Sequence, residues 1–251
     1  MNSIASSNRI ALVTGARGGI GREVVARLRA SGYRVAAVGR DAALLADVPA
    51  EAHIAADTTT PEGAAAAVAA CQAQLGGAPS FLAHCVGSTL IVPFHRNTPD
   101  QIREVLRVNL DSALFVLQAW VQAQRAASQP GAAVLVSSVV ARIGVANHEA
   151  IAAAKGGIEA LTRSFAASYA SAGLRINAVA PGMTETPMTE GMLRVEAFRE
   201  GAGKQYPLGG VQTAGQVADV MAWLLSEASA RVTGQVIAVD GGFTSVRPLV
   251  K

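Results

Sequence analysis

Seven short runs of nearly unbroken apolar residues recur along the chain: IALVTG at 10–15, RVAAVG at 34–39, AHIAAD at 52–57, SFLAHCVG at 80–87, AAVLVSS at 132–138, RINAVA at 175–180 and QVIAVD at 235–240. They do not alternate apolar with polar positions as a half-exposed strand would. Each is predicted to be a strand covered on both faces, the habit of a parallel sheet. Longer stretches of helical periodicity stand between them, at about 20–31, 61–75, 99–128, 148–172 and 214–227. Thr98 and Thr213 suit N-caps, and Pro61 and Pro99 suit first helical turns. Strand alternating with helix implies right-handed βαβ crossovers, hence an α/β fold of Rossmann type: a doubly wound, seven-stranded parallel sheet flanked by helices, in one domain over 1–251. One segment breaks the rhythm. Residues 183–212, rich in glycine and methionine, follow the sixth strand, and ligands in such sheets sit beyond the carboxyl ends of strands. The segment is expected to be a substrate loop or lid, the plainer alternative being a surface excursion.

Composition narrows the picture. With 251 residues, 51% of them hydrophobic, the chain can bury a large core without disulfides, and its two cysteines, Cys71 and Cys85, are too few for a disulfide framework or a metal site. A reducing, cytoplasmic setting follows, and neither a signal peptide nor a membrane-length apolar run is read from the chain. The net charge of +3 comes without any block of like charge, which speaks against a nucleic-acid surface and for a few anionic groups on one ligand. Trp120 and Trp223 lie on helical patterns and read as core or interface anchors.

The first strand runs into TGARGGIGREV. Gly15, Gly19 and Gly21 bracket a strand-to-helix turn, with Ile20 between the last two. Glycines let backbone approach a pyrophosphate, and a helix N-terminus offers free N–H groups and the positive end of its dipole. The second strand ends at Gly39 and is followed by Arg40; an acid there would take the adenosine ribose hydroxyls. Arg40 together with Arg17 favours a 2′-phosphate instead, hence NADP(H) over NAD(H), unless Asp41 turns inward. Asp57, at the end of the third strand, is positioned to meet the adenine edge.

These motifs, with VNL around Asn109, VLVSS, a lysine within a helical pattern, NAVAPG and VTGQVIAVDGG, occur in an order and at spacings that resemble the short-chain dehydrogenase/reductase family, of the 3-oxoacyl-ACP-reductase-like kind. The resemblance covers essentially the whole chain. It implies a nicotinamide cofactor, a small-molecule substrate, oxidoreduction between an alcohol and a carbonyl, and a homotetramer or homodimer built on the helices at 99–128 and 148–172 and on the C-terminal stretch GGFTSVRPLVK. Family roles carry over to Ser138 as the hydroxyl that holds the substrate oxygen, Lys155 as the ribose-binding cation and Asn109 as a member of the proton relay. Pro181, Gly182 and Thr184 match the loop beside the nicotinamide, and Thr186 the residue that meets its carboxamide.

One family residue is missing. The proton-exchanging tyrosine, four residues before the lysine, falls on Ile151, and the three tyrosines of the chain, Tyr33, Tyr169 and Tyr206, all lie elsewhere. Where the family usually has NNAG, this chain has HCVG at 84–87. Three accounts remain open. Hydride transfer can proceed with another proton source: His148 foremost, or Tyr206 on the closing insert, His84, or water held by Ser138 and Lys155. The chain can bind NADP(H) without turnover. Or the scaffold can run an isomerisation or elimination with Lys155 or His148 as base.

Overall fold

The computed structural model describes residues 9–41 and 43–247. Strands β1 (Ile10–Thr14), β2 (Arg34–Gly39), β3 (Ala52–Ala55), β4 (Phe81–His84), β5 (Gly131–Val136), β6 (Leu174–Pro181) and β9 (Val236–Val239) form one sheet in the order β3-β2-β1-β4-β5-β6-β9. Every pairing in it is parallel. The chain starts in the middle, winds outward through β2 and β3, then crosses back to β4. The carboxyl ends of β1 and β4 therefore feed loops that diverge, and a crevice opens between them.

Continuous apolar runs are needed because successive side chains enter different cores. Ile10 and Leu12 of β1 join a core formed with α2 (Pro61–Leu75), α4 (Ser112–Ala127) and α5 (Glu149–Tyr169). Ala11 and Val13 of the same strand join the opposite core, with α1 (Gly19–Ala30) and α8 (Ala214–Leu225). Trp120 of α4 is fully buried and donates its indole N–H to the Pro79 carbonyl at 2.6 Å. Trp223 of α8 stays on the surface. Cys71 is buried, and burial pushes its thiol up to about 12.

Capping follows the sequence closely. Thr98 closes a capping box with Gln101 at the start of α3 (Pro99–Leu106), Thr213 does so with Gln216 at the start of α8, and Pro61 and Pro99 occupy first turns. The expected helix over 99–128 is corrected: it is three pieces, α3, a π-helical turn over Arg107–Asp111, and α4. A π turn shifts an N–H from the i−4 to the i−5 carbonyl and widens the helix locally. The Asn109 amide nitrogen takes up the Val105 carbonyl, four residues earlier, at 3.0 Å.

The insert over 183–212 carries two short helices, α6 (Glu190–Leu193) and α7 (Glu196–Gly203). Strands β7 (Thr184–Glu185) and β8 (Gln212–Thr213) pair in parallel and tie its ends together. Of the C-terminal stretch expected at a subunit edge, residues 248–251 lie outside the described residues, as does the start, 1–8. No helix among the described residues is long and apolar enough to cross a membrane.

Candidate active site

The glycine turn is built for close backbone approach. Gly15 adopts φ +65°, which L side chains rarely take, and a Cβ there would lie 2.7 Å from the Cys85 carbonyl. A Cβ on Gly21 would come within 2.3 Å of the Gly15 carbonyl oxygen. Helix α1 begins at Gly19 after a glycine cap that makes no side-chain hydrogen bond, and its first turn holds no acid. The amides of Gly19, Ile20 and Gly21 are thus left for an anion at the positive end of the helix. A Cβ on Gly19 would meet the Thr186 methyl at 2.9 Å, so the loop after β6 closes over this turn. The cradle fits a dinucleotide pyrophosphate.

Thr186 shares a hydroxyl contact of 3.1 Å with Thr189. Thr184 is turned away into the loop's own framework: its hydroxyl donates to the Gly182 carbonyl at 2.9 Å and accepts from Gln212. Pro181 ends β6, and the Gly182 amide donates to the Val239 carbonyl at 3.0 Å.

At the other end of the crevice, Arg17 and Arg40 are exposed. Asp41 does not turn inward; its carboxylate caps the Ala43 amide at 2.9 Å. Asp57 accepts the Thr59 hydroxyl at 2.6 Å and the Thr59 amide at 3.0 Å through one oxygen. The Thr59 hydroxyl, with Arg107 and Arg40 nearby, holds this carboxyl below the usual range. Arg107, which the sequence reading passed over, donates to the Thr59 hydroxyl through Nη1 and to the two Glu104 carboxylate oxygens through Nε and Nη2, at 2.7 and 2.8 Å. The π turn positions it.

Lys155 lies inside α5. It is 6% exposed and donates to the Val136 carbonyl at 2.8 Å. No ion pair involves it among the described residues; Glu159, one turn on, is engaged by Arg142 at 3.0 Å and by the Ser137 hydroxyl at 3.2 Å. Burial without a countercharge pulls the ammonium down to about 8. Gly87 makes room for it: a Cβ there would sit 3.6 Å from Nζ and 3.1 Å from the Asn109 amide oxygen.

Asn109 is almost fully buried and clamps the same loop, accepting from the Ser88 amide at 3.2 Å and donating to the Ser88 hydroxyl at 3.0 Å. Ser88 is a second residue that sequence reasoning missed; a hydroxyl directly after the strand-end glycine was its signal. Ser138 accepts a weak bond from the Val140 amide at 3.4 Å, which leaves its own proton to donate.

The proposed proton sources sort by what holds them. Ile151 is buried in a small apolar cluster with Val105, Ala150 and Ala154, against which Leu90 and Val140 pack. Of the two readings the sequence allows for His84, proton donor or structural histidine, the structure supports the structural one. It is buried between the Thr14 hydroxyl at 2.8 Å and the Ser112 hydroxyl at 3.0 Å. Ser112 donates its proton to the Val108 carbonyl at 2.6 Å, so the ring carries its hydrogen on Nε2 and accepts on Nδ1. Burial, with Lys155 near, pushes His84 down to about 3. Its role is to brace β1 and β4 against the π turn.

Tyr206 is pinned in place as well. Its hydroxyl accepts the Met183 amide at 2.6 Å, its ring packs on Phe243, and it fills the space a Cβ on Gly182 would need. His148 is the N-cap of α5, reached through Asn147 at φ +65°. Its Nδ1 donates to the Ala146 carbonyl at 2.7 Å. It stands seven residues, about 10 Å along the helix axis, from Lys155. The half-buried Cys85 has its thiol pushed up to about 12 by desolvation. No group of three or more His, Cys, Asp or Glu suited to a metal occurs among the described residues.

Over residues 15–244 the chain matches the family described as Enoyl-(Acyl carrier protein) reductase. It is 34% identical to cis-4-hydroxycyclohexanecarboxylate dehydrogenase of Sinomonas cyclohexanicum, across 96% of this chain and 99% of that one. Among solved structures it resembles ligand-free aldohexose dehydrogenase of Thermoplasma acidophilum, with a TM-score of 0.89, 26% identity and 97% of both chains covered. An Agrobacterium tumefaciens structure with bound NADP superposes with a TM-score of 0.86 at 27% identity, covering 95% of this chain and 97% of that one.

Proposed function

The chain belongs to the short-chain dehydrogenase/reductase family of oxidoreductases, and from that premise we propose that it is an NADP(H)-dependent enzyme that reduces a carbonyl, ketone-like or quinone-like, without the usual phenol. The observation that carries the reading is the pairing of a glycine turn that has no side-chain cap with a buried ammonium that meets no carboxylate among the described residues. A protein with no use for an anionic, redox-active ligand would have little reason to bear the desolvation cost of Lys155.

When bound, the dinucleotide supplies the hydride. The amides of Gly19 to Gly21 hold its pyrophosphate, Arg17 and Arg40 its 2′-phosphate, and Asp57 its adenine. Lys155 holds the nicotinamide ribose, and Pro181, Gly182 and Thr186 keep the nicotinamide against the crevice wall, with Thr184 stiffening their loop. Ser138 donates to the substrate oxygen. Asn109 positions Ser88 and the backbone that faces Lys155. Ile151, Leu90 and Val140 exclude water on the substrate side. A homotetramer or homodimer fits the half-exposed edge strand β9 and the exposed Leu114 of α4, and the two free thiols fit a reducing cytoplasm.

The apolar cluster around Ile151 favours one second reading, binding of NADP(H) without turnover; consumption of NADPH with any carbonyl acceptor rules it out.

The cofactor assignment is tested by fluorescence titration of the Arg17→Ala/Arg40→Ala protein. Charge-assisted contacts to a phosphate are worth about 1.5–3 kcal/mol. NADPH affinity is expected to fall about 10- to 100-fold while NADH affinity stays within about twofold. Equal weakening of both dinucleotides would contradict the 2′-phosphate role.

A further inference from the structure

Resting on the reductase reading, we propose that the acceptor is a conjugated carbonyl of the enone or quinone class, whose reduction product leaves the chemical step as an oxyanion held by the Lys155 ammonium and the Ser138 hydroxyl. The first support is the state of every protic side chain that could replace the phenol. Position 151 is an isoleucine sealed in an apolar cluster. His84 has both ring nitrogens engaged in the interior. The Tyr206 hydroxyl accepts the Met183 amide, its ring is pinned against Phe243, and burial pushes the phenol up, away from a usable acid. His148 caps a helix two turns from the ammonium, its Nδ1 proton given to Ala146. The site retains charge and a hydroxyl donor but lacks a placed acid.

Second, that charge is uncompensated. The Lys155 side chain is buried, one of its protons goes to the neutral Val136 carbonyl, and Glu159 is occupied by Arg142 and Ser137. A buried cation without a countercharge stabilises negative charge that develops beside it far more than it would in water.

These two facts select the acceptor. Hydride addition to an isolated ketone gives an alkoxide, as basic as hydroxide, whose parent ionises near about 15.7, as water does. It cannot form at a useful rate without a proton delivered in the same step. An enone or quinone gains the hydride at a conjugated carbon or at a quinone oxygen. Its π pair moves to the far carbonyl oxygen, leaving an enolate or phenolate whose parent ionises near about 10, as a phenol does. Two electrons and one hydrogen pass from the reduced dinucleotide, which is oxidised, and water supplies the last proton after release. An iminium also needs no acid, but it would bring a second cation against Lys155. Leu90 and Val140, half-buried where they pack against the Ile151 cluster, give this end of the site an apolar lining.

The test has a binding arm and a kinetic arm. 4-Nitrophenol, a stable phenolate mimic, is titrated with pH in the presence of the NADP+-loaded protein, and the absorbance of its anion is followed. Its apparent pKa on the wild-type protein is expected to fall by about one unit or more, and by less than about 0.3 on Lys155→Met. In the kinetic arm, kcat/KM for 1,4-naphthoquinone with NADPH is expected to exceed that for 2-tetralone by at least about 10²-fold, the usual worth of the missing acid. Comparable rates for the two acceptors, no depression of the nitrophenol pKa, or NADPH binding with neither acceptor reduced would each overturn the inference. Failure to bind NADPH at all would overturn the reductase reading beneath it, which separates the two outcomes.

Discussion

Lys155→Met is expected to yield a protein that melts higher than its parent and has lost its NADPH-dependent turnover. The wild-type ammonium is buried, and its pKa sits at about 8 against an ordinary 10.5. A cation whose folded pKa is depressed weakens the fold wherever it must be carried protonated into the interior, below about pH 8. As pH climbs from about 8 toward 10.5 the folded state sheds the proton while the unfolded state keeps it, so stability rises through that window. Methionine fills much of the same space without charge. The variant should therefore gain about 2–6 °C in Tm at pH 7, after the loss of the bond to Val136, and the gap should close as the pH approaches 10. Turnover should fall at least about 10²-fold, the scale for removing one preorganised stabiliser of developing negative charge. Differential scanning calorimetry and NADPH oxidation on the same preparation check both. A lower Tm together with retained turnover would refute the account of Lys155.

Ile151→Tyr is expected to change the enzyme in the other direction. The residue lies one helical turn before Lys155, and its neighbours Ala150 and Ala154 are small. A phenol there would stand beside the ammonium, which would lower its pKa and make it a usable acid. Reduction of an unconjugated ketone such as 2-tetralone should rise by about 10²- to 10⁴-fold. Reduction of 1,4-naphthoquinone, which does not need the proton, should change by less than about tenfold. The larger ring costs about 1–3 kcal/mol of packing, so a modest drop in Tm is part of the expected result. A folded variant that binds NADPH and gains nothing on 2-tetralone would mean that position 151 does not face the substrate.

The two variants pull apart what the family normally joins. In the family arrangement the lysine serves the tyrosine; here it stands alone. Stability and function then trade against each other at one side chain, a common state of affairs where a site carries an unpaired buried charge.

Much of the fold was legible because it rests on local pattern. The strands are nearly unbroken apolar runs for the reason seen in β1, where Ile10 and Leu12 enter one core while Ala11 and Val13 enter the other. Helix starts were legible from Thr98 and Thr213 because a capping box is written within four consecutive residues. The π turn at Arg107–Asp111 was not, since one extra residue per turn barely disturbs the apolar period of a helix that continues on either side.

The site divides in the same way. Lys155, Ser138 and the isoleucine at position 151 were singled out through the motifs that carry the family resemblance. What engages them was not. His84 is fixed by Thr14 and Ser112, 70 and 28 positions away, so its commitment to the core leaves no mark on neighbouring sequence. The Ser88–Asn109 clamp and the Arg107–Thr59 bond join loops that only the fold brings together. Tyr206 takes the packing role that the sequence offered beside a reach into the site: the pairing of β7 with β8 and the Met183 amide hold it down.

Calorimetric titration of the wild-type protein and Gly21→Ala with NADPH tests the central claim most directly. A methyl at position 21 would stand within 2.3 Å of the Gly15 carbonyl oxygen, so the turn must open to accept it. The account predicts one saturable site per wild-type chain, tighter for NADPH than for NADH, and binding weaker by at least about 100-fold in a Gly21→Ala protein that keeps its helical circular dichroism, as expected when the phosphate-binding amides are displaced. A wild-type protein that takes up neither dinucleotide would contradict it.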